Sequence, residues 1–498
     1  MMIKNLLKLV CMLIACLSYG TMQAKVELPA VLADNMVLQR NSEVNLWGKA
    51  QPNRAVTVVT SWNAKKYKTE SDANGNWKLK VITAEAGGPY EIEFSDGEKL
   101  TLKGILLGEV WVCGGQSNME MPIRGFVAQP VQGAVEAIRE AYAHPDIRIF
   151  NVGRNCIGEL QDDCKGEWKL PTPQNVADCS ATAYFFGRML SDVLGVPVGL
   201  VTSYWGGTKA EVWMTREAIT ATQGIDVEYA LQPDGNGFAP QSMYNGMIHP
   251  IINFTAKGFI WYQGESNRDR AFDYGKLFAS LIQCWRKAWG NDEMPFLCAQ
   301  LVQYRYDGPE YLSLPVVIEG QYEAAKALKN VYVAPTTDLA FPSIIHPPFK
   351  REVGERMAGI ALEHSYDVTG FASESPKYTG MEIDGSKVTL RFEGMADSDK
   401  FDAVGHNFSW VDKNMKVISV KGFEVAGDDR KFYPAKARLS WPVSDRITVE
   451  SDSVKNPVAV RYAFRNCIEA NVLTVMGTPL APFRTDTWEI PENELFKK

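Results

Sequence analysis

A hydroxyl attacks a carbonyl at neutral pH only when a base stands beside it, so the first pair to look for is a serine and a histidine in loops that can meet. Ser117 stands in Gly114-Gly115-Gln116-Ser117-Asn118-Met119-Glu120. The glycine pair permits a sharp turn, and a helix beginning there would aim its first N–H groups at a developing oxyanion. Read alone, Ser117-Asn118 is also an ordinary helix N-cap. The segment is not a Gly-x-Ser-x-Gly elbow, because Met119 replaces the last glycine. Of the five histidines, His144 and His364 fall at helix ends and His406 in a β region, where capping or surface roles suffice. His346, in Pro342-Ser343-Ile344-Ile345-His346-Pro347, lies between a strand and the last long helix and can reach Ser117. His249, just ahead of another strand, is the second that could line a site.

Two further loops are polar in the same way. Trp205-Gly206-Gly207-Thr208-Lys209 could offer backbone N–H groups to a substrate oxygen, or be a plain turn. Gln263-Gly264-Glu265-Ser266-Asn267 crowds amides that could donate to an oxyanion, with Glu265 either a substrate contact or a buried strut. There is no Cys-x-x-Cys and no Cys/His set with zinc spacing, so no metal or other cofactor is expected.

These loops are held by a recognisable alternation. From Gly104 onward, apolar runs at Ile105–Val112, Val198–Ser203, Gly258–Tyr262, Phe296–Val302 and Val331–Pro335 alternate with helical periodicity at Val131–Ala143, Ala181–Leu194, Tyr274–Trp289, Gln321–Leu328 and Lys350–His364. Near-continuous apolar strands between amphipathic helices predict an α/β fold with a parallel sheet covered on both faces, and such sheets bind ligands beyond their strand ends. Each polar loop follows such a strand. Residues 25–103 read as a small all-β domain, 104–370 as the α/β domain, and 371–498 as a second β-rich region whose tail, Ala481–Thr485, returns to the core.

The 498 residues are 46% hydrophobic and 22% charged, which excludes a disordered or low-complexity chain. The charge balance is −7 with no long basic run, which argues against a nucleic-acid partner. Lys4, Lys8 and the apolar run Leu6–Leu17 predict a signal peptide over 1–24 and export to the periplasm or medium. Leu13-Ile14-Ala15-Cys16 keeps a lipid-anchored form at Cys16 as the alternative. The leader's apolar run is shorter than the roughly 20 residues of a spanning helix, and no other span is expected. Seven cysteines follow the leader; Cys156 and Cys164 could bridge a short segment or stay free. Nothing in the sequence fixes an oligomeric state.

Taken in order, Gly-Gly-Gln-Ser-Asn-Met at 114–119, Trp-Gly-Gly-Thr at 205–208, Tyr-Gln-Gly-Glu-Ser-Asn at 262–267 and Ile-His-Pro at 345–347 resemble the carbohydrate-esterase branch of the SGNH hydrolases, specifically the sialate O-acetylesterases. The segments 421–427 and 456–462 also resemble that family, so the likeness spans most of the mature chain. It implies an SGNH-like three-layer α/β/α core that removes O-acetyl groups from sialic acids, or from xylan or xyloglucan. A carbohydrate-binding protein on an inactive esterase scaffold is the alternative of another class. Ser117 would be the nucleophile and His346 the base, titrating with an apparent pKa of about 6–7. The N–H groups of Ser117, Gly206 and Gly207, with an amide from Gln263 or Asn267, would form the oxyanion hole. Asn118, Glu265, His249 and Arg268 would be candidates for binding the sugar, and Arg124, Arg268 and Arg270 cations for a sugar carboxylate. Many SGNH enzymes carry Asp three residues before the histidine; here that residue is Ser343. Either Asp338 or a backbone carbonyl near Ser343–Ile344 must then orient the imidazole, and the carbonyl is the nearer acceptor.

Overall fold

The computed structural model describes residues 26–393, 407–412, 414–440 and 445–497. The expected leader over 1–24, Cys16 within it, and His406 lie outside the described residues.

The fold is organised around one strand. Seven strands, β1 (Lys99–Gly115), β2 (Ile147–Asn151), β3 (Trp168–Lys169), β4 (Val198–Tyr204), β5 (Gly258–Tyr262), β6 (Phe296–Ala299) and β7 (Val331–Ala334), lie in the order β7-β6-β5-β1-β4-β2-β3. All pair in parallel except β3, which runs antiparallel to β2. From Ile105 to Gly115, β1 is buried without alternation, as an inner strand covered on both faces must be. β4 and β5 flank it and are reached through crossovers on opposite sides, which opens a crevice at the β1 end. The register makes that crevice sharp. Gly115 pairs with both Tyr204 and Tyr262, so three chains leave the sheet at one level. Gly115 has φ +146°, and a Cβ there would sit 2.3 Å from the Tyr262 carbonyl oxygen, so only glycine serves.

Helices α1 (Ser117–Glu120), α2 (Ala181–Leu194), α3 (Ala271–Trp289), α4 (Ser313–Ala327) and α5 (Lys350–Ser365) follow in turn. α2 packs on α5 and α3 on α4, two pairs covering the sheet of an α/β fold. Ser180 caps α2 by accepting from Ala183 N (3.1 Å), and left-handed Gly195 closes it. α4 begins at Ser313 rather than at the expected Gln321. Pro315 sits in its first turn, where the missing N–H has no acceptor to lose. The helix expected over Val131–Ala143 is shorter, Ala134–Arg139 plus a 3₁₀ turn, because left-handed Gly133 delays its start.

The first half of β1 belongs to another neighbourhood. It pairs antiparallel with Gly87–Ser95 and in parallel with Val37–Gln39, so the boundary expected between 103 and 104 falls inside a strand. The N-terminal strands and the α/β region share one hydrophobic core. Beyond residue 376 two four-stranded sheets enclose a second core that includes Val388, Leu390, Val425, Val449 and Val460. The tail crosses back: Phe464, Ile490 and Leu495 join the first core, and Arg484 pairs with Glu319 of α4 at 2.7 Å. All seven described cysteines are free thiols, so Cys156 and Cys164 are not bridged. Among the described residues no helix is long and apolar enough to cross a membrane, and no cluster of His, Cys, Asp and Glu could hold a metal ion.

Candidate active site

β1 ends at Gly115 and the chain turns directly into α1, whose first residue is Ser117. Gln116 N donates to Tyr262 O (3.0 Å) and Trp205 N to Gly115 O (3.1 Å), which lock the three loops together. His346 arrives from the loop between β7 and α5. Its Nε2 lies 2.8 Å from Ser117 Oγ, both side chains being partly exposed. Its Nδ1 lies 2.7 Å from Gln129 Oε1. An amide oxygen only accepts, so Nδ1 carries the proton and Nε2 offers its lone pair to the serine hydroxyl. Phe126 packs edge-on against the imidazole, with ring centres 5.1 Å apart. The Gln129 loop is stiff for its size. Phe126 and Gln129 exchange two backbone hydrogen bonds of 3.0 Å, and Gln132 N donates to Pro348 O (2.9 Å) just beyond the histidine.

Gln129 corrects the reading in which Asp338 or a carbonyl near Ser343–Ile344 orients the base. Asp338 lies in a 3₁₀ turn after β7 and takes a two-pronged ion pair from Arg356 of α5 (2.7 and 2.8 Å). The Ser343–Ile344 turn spends a hydrogen bond on itself, Ile344 N to Phe341 O at 2.9 Å.

The expected oxyanion donors are arranged differently too. Gly206 does approach Ser117, since a Cβ on it would meet Ser117 Cβ at 3.2 Å. Its N–H, however, donates to Glu120 Oε2 (2.7 Å), and Glu120 is paired with Arg154. Gly207 follows with φ +76° and its carbonyl accepts from Asn236 Nδ2 (2.8 Å). Gln263 spends both amide hydrogens, on Thr208 O (3.0 Å) and Asn267 Oδ1 (2.8 Å). Asn267 donates to Glu211 Oε2 (2.8 Å) and accepts from Ala210 N (3.0 Å). These two buried amides stitch the second loop to the third. Of the expected donors, the Ser117 N–H is the one in a first helical turn, where N–H groups lack an intrahelical acceptor.

The remaining candidates divide. Asn118 Nδ2 donates to Glu265 Oε1 (2.5 Å) and to Ile345 O (3.2 Å), so Glu265 is an internal strut and Asn118 a clamp on the histidine loop. His249 lies 2.8 Å from Gln161 O and lines a separate cleft with Trp47 and Asp163. Arg268 is committed to Asp307 (3.1 Å) and stacks on Tyr306. Arg124 pairs with Asp178 (2.7 Å) and Arg270 with Asp273 (2.8 Å).

A serine hydrogen-bonded to an oriented histidine at the switch point of a parallel sheet is the arrangement of an acyl-transfer site. The family described as carbohydrate esterase, sialic acid-specific acetylesterase, matches residues 107–363, more than half of the chain. Rat sialate O-acetylesterase is 31% identical over 413 residues, covering 70% of this chain and 75% of that protein. This chain belongs to that esterase family. Human sialate O-acetylesterase is 27% identical over 456 residues, 82% of this chain and 86% of that protein. The crystal structure of a carbohydrate acetylesterase from Xanthomonas citri superposes with a TM-score of 0.81 at 34% identity, covering 93% of this chain and all of that one.

In this esterase the candidate base, His346, sits in an unusual field. Burial lowers the pKa of His346 to about 4, helped by the charge of Lys350. Lys350 is itself buried, four positions on, and burial brings it down to about 7 against the opposing pull of Glu265. Glu265 is pushed up by burial, although its hydrogen bond from Asn118 works the other way. Next to the esterase's Gly207 a cleft of about 450 Å³ is walled by Lys209, Tyr229, Asn236, Phe238 and Asp269, with Ser266 on the third loop. Gln129, Glu120 and Lys350 carry no signal in the sequence: the first lies in an aperiodic loop, and the others read as helix residues.

Proposed function

We propose that this esterase hydrolyses O-acetyl esters of sugars, sialic acids first among them, through an acetyl-enzyme on Ser117. The observation that carries the reading is the 2.8 Å contact between Ser117 Oγ and His346 Nε2, with Nδ1 fixed by Gln129. Ser117 Oγ attacks the acetyl carbonyl as its proton passes to Nε2. The negative oxygen faces the Ser117 N–H. Collapse breaks the ester bond and Nε2 returns the proton to the departing sugar oxygen. Water then attacks the acetyl-serine, loses its proton to Nε2 and releases acetate, and Ser117 regains its hydrogen. The names of the mammalian relatives support the sialic acid substrate. A neutral polysaccharide is favoured by one observation: Arg124, Arg268 and Arg270 are each already paired with a protein carboxylate. Export through the leader over 1–24 fits either polymer-bound substrate, and the N-terminal sequence of the mature protein tests it.

The deciding experiment gives purified enzyme acetylated sialic acids and acetylated xylan in parallel and measures acetate. Ser117→Ala should lose on the order of 10³-fold or more while folding normally. A variant retaining a tenth of the rate removes Ser117 from the mechanism. No acetate from any ester leaves a binding protein on this scaffold.

A further inference from the structure

Beneath the catalytic pair runs a buried chain of polar groups that the acyl-transfer steps leave unused. Lys350 Nζ donates to Asn118 Oδ1 (2.5 Å), and Asn118 Nδ2 donates to Glu265 Oε1 (2.5 Å). Asn118 and Lys350 are essentially inaccessible and Glu265 is 9% exposed. The amide is oriented as a cation and an anion would require, its acceptor end on the lysine and its donor end on the carboxylate. Two buried charges opposed through one amide avoid the penalty of a lone buried ion. The connection to the catalytic pair is direct. Asn118 follows Ser117, and its second N–H holds the carbonyl of Ile345, the residue before His346 (3.2 Å). Lys350 begins α5, four residues after His346, and its ammonium group lies 5.2 Å from the centre of the Tyr262 ring.

We propose that Lys350, held against Asn118 and Glu265, is a positioning residue that pins the histidine loop to the nucleophile and puts a positive charge beneath it. The proposal rests on the Ser117–His346 reading above. The groups facing this centre are few. Glu265 contributes from the third loop, its Oε2 buried with no partner among the described residues, and Tyr262 and Tyr306 stand near that carboxylate. Glu120, paired with Arg154, contributes from α1, and Gln129 is neutral. Lys350 is a cation whose field reaches the imidazole, while its balancing carboxylate lies on the far side of Asn118. A triad aspartate favours the imidazolium, whereas this arrangement opposes it and extends the base into acid.

Two variants separate the parts. Lys350→Gln keeps a donor for Asn118 and removes the charge; Lys350→Arg keeps the charge. On a chromogenic acetyl ester, the acid limb of kcat/KM should rise by up to about one pH unit in Lys350→Gln and stay low in Lys350→Arg. A folded Lys350→Gln enzyme with an unmoved limb overturns the proposal. Should Lys350→Gln not fold, ¹⁵N NMR of the uncharged Lys350→Met beside the wild-type protein decides: an imidazole that titrates at higher pH in the variant supports it, and equal titrations overturn it. The NMR result stands even if no ester is cleaved, which would sink the activity reading alone.

Discussion

Replacing the carboxylate of a triad by an amide oxygen changes what the base can do. Gln129 Oε1 fixes the tautomer of His346 as well as an aspartate would, but it brings no charge to the imidazolium. The sign of the pH dependence follows. A base must be neutral, and burial has moved its pKa from 6.5 to about 4, so kcat/KM should hold to well below pH 6 and fall only near pH 4. That replaces the limb at 6–7 expected from an unperturbed histidine. Gln129→Glu should restore the missing charge and shift the limb upward, which a pH profile on a soluble ester would read. Asp338→Asn should keep more than about a tenth of the activity, against the roughly 10⁴-fold loss of a true triad aspartate, because Asp338 serves Arg356. A larger kcat loss in a folded variant would return Asp338 to the mechanism. The meeting of Ser117 and His346 was readable because residue type and loop order suffice to pair them. Gln129 was not, since an amide three residues past a phenylalanine in an aperiodic loop matches no spacing rule.

At the scale of elements, the three converging loops owe their meeting to register: Gly115 opposite Tyr204 and Tyr262. Apolar runs announced those strands, and the rule that ligands sit beyond strand ends announced the crevice. What periodicity could not supply was the partner of each loop side chain. Gln263 and Asn267 have the residue types of oxyanion donors, yet their hydrogens go to Thr208 and Glu211. Gln263→Ala should therefore act first on stability, by about 1–3 kcal/mol for a buried donor and acceptor left unpaired. Thermal unfolding should register that loss, and any drop in kcat should track the fraction unfolded. A fully stable variant with a 10²-fold lower kcat would restore the oxyanion role. Pro315 hid the start of α4 for a comparable reason: a breaker in a helix interior is harmless in the first turn.

Across the whole molecule, the C-terminal region is tied in by charge as well as by its core. Arg461 and Asp486 form a two-pronged ion pair at 2.9 and 3.0 Å with side chains 7% and 0% exposed. Removing one partner, as in Asp486→Ala, strands a buried guanidinium and should cost about 3–5 kcal/mol in denaturant unfolding. The sequence shows a change of pattern, from turns to alternation and back, while the first two parts share one hydrophobic core. The sharing of β1 was not visible there, because half of it reads as a polar β-strand and half as a buried one. That shared strand has a consequence for the order of assembly. As the chain is synthesised, residues 99–107 find the Gly87–Ser95 strand within a short loop, a low-entropy closure available at once. The other half of β1 then waits as an exposed template, since β4 ends near residue 204 and β5 near 262. The N-terminal strands should thus serve as an internal nucleus, holding the strand that leads to Ser117 in place until its distant neighbours leave the ribosome.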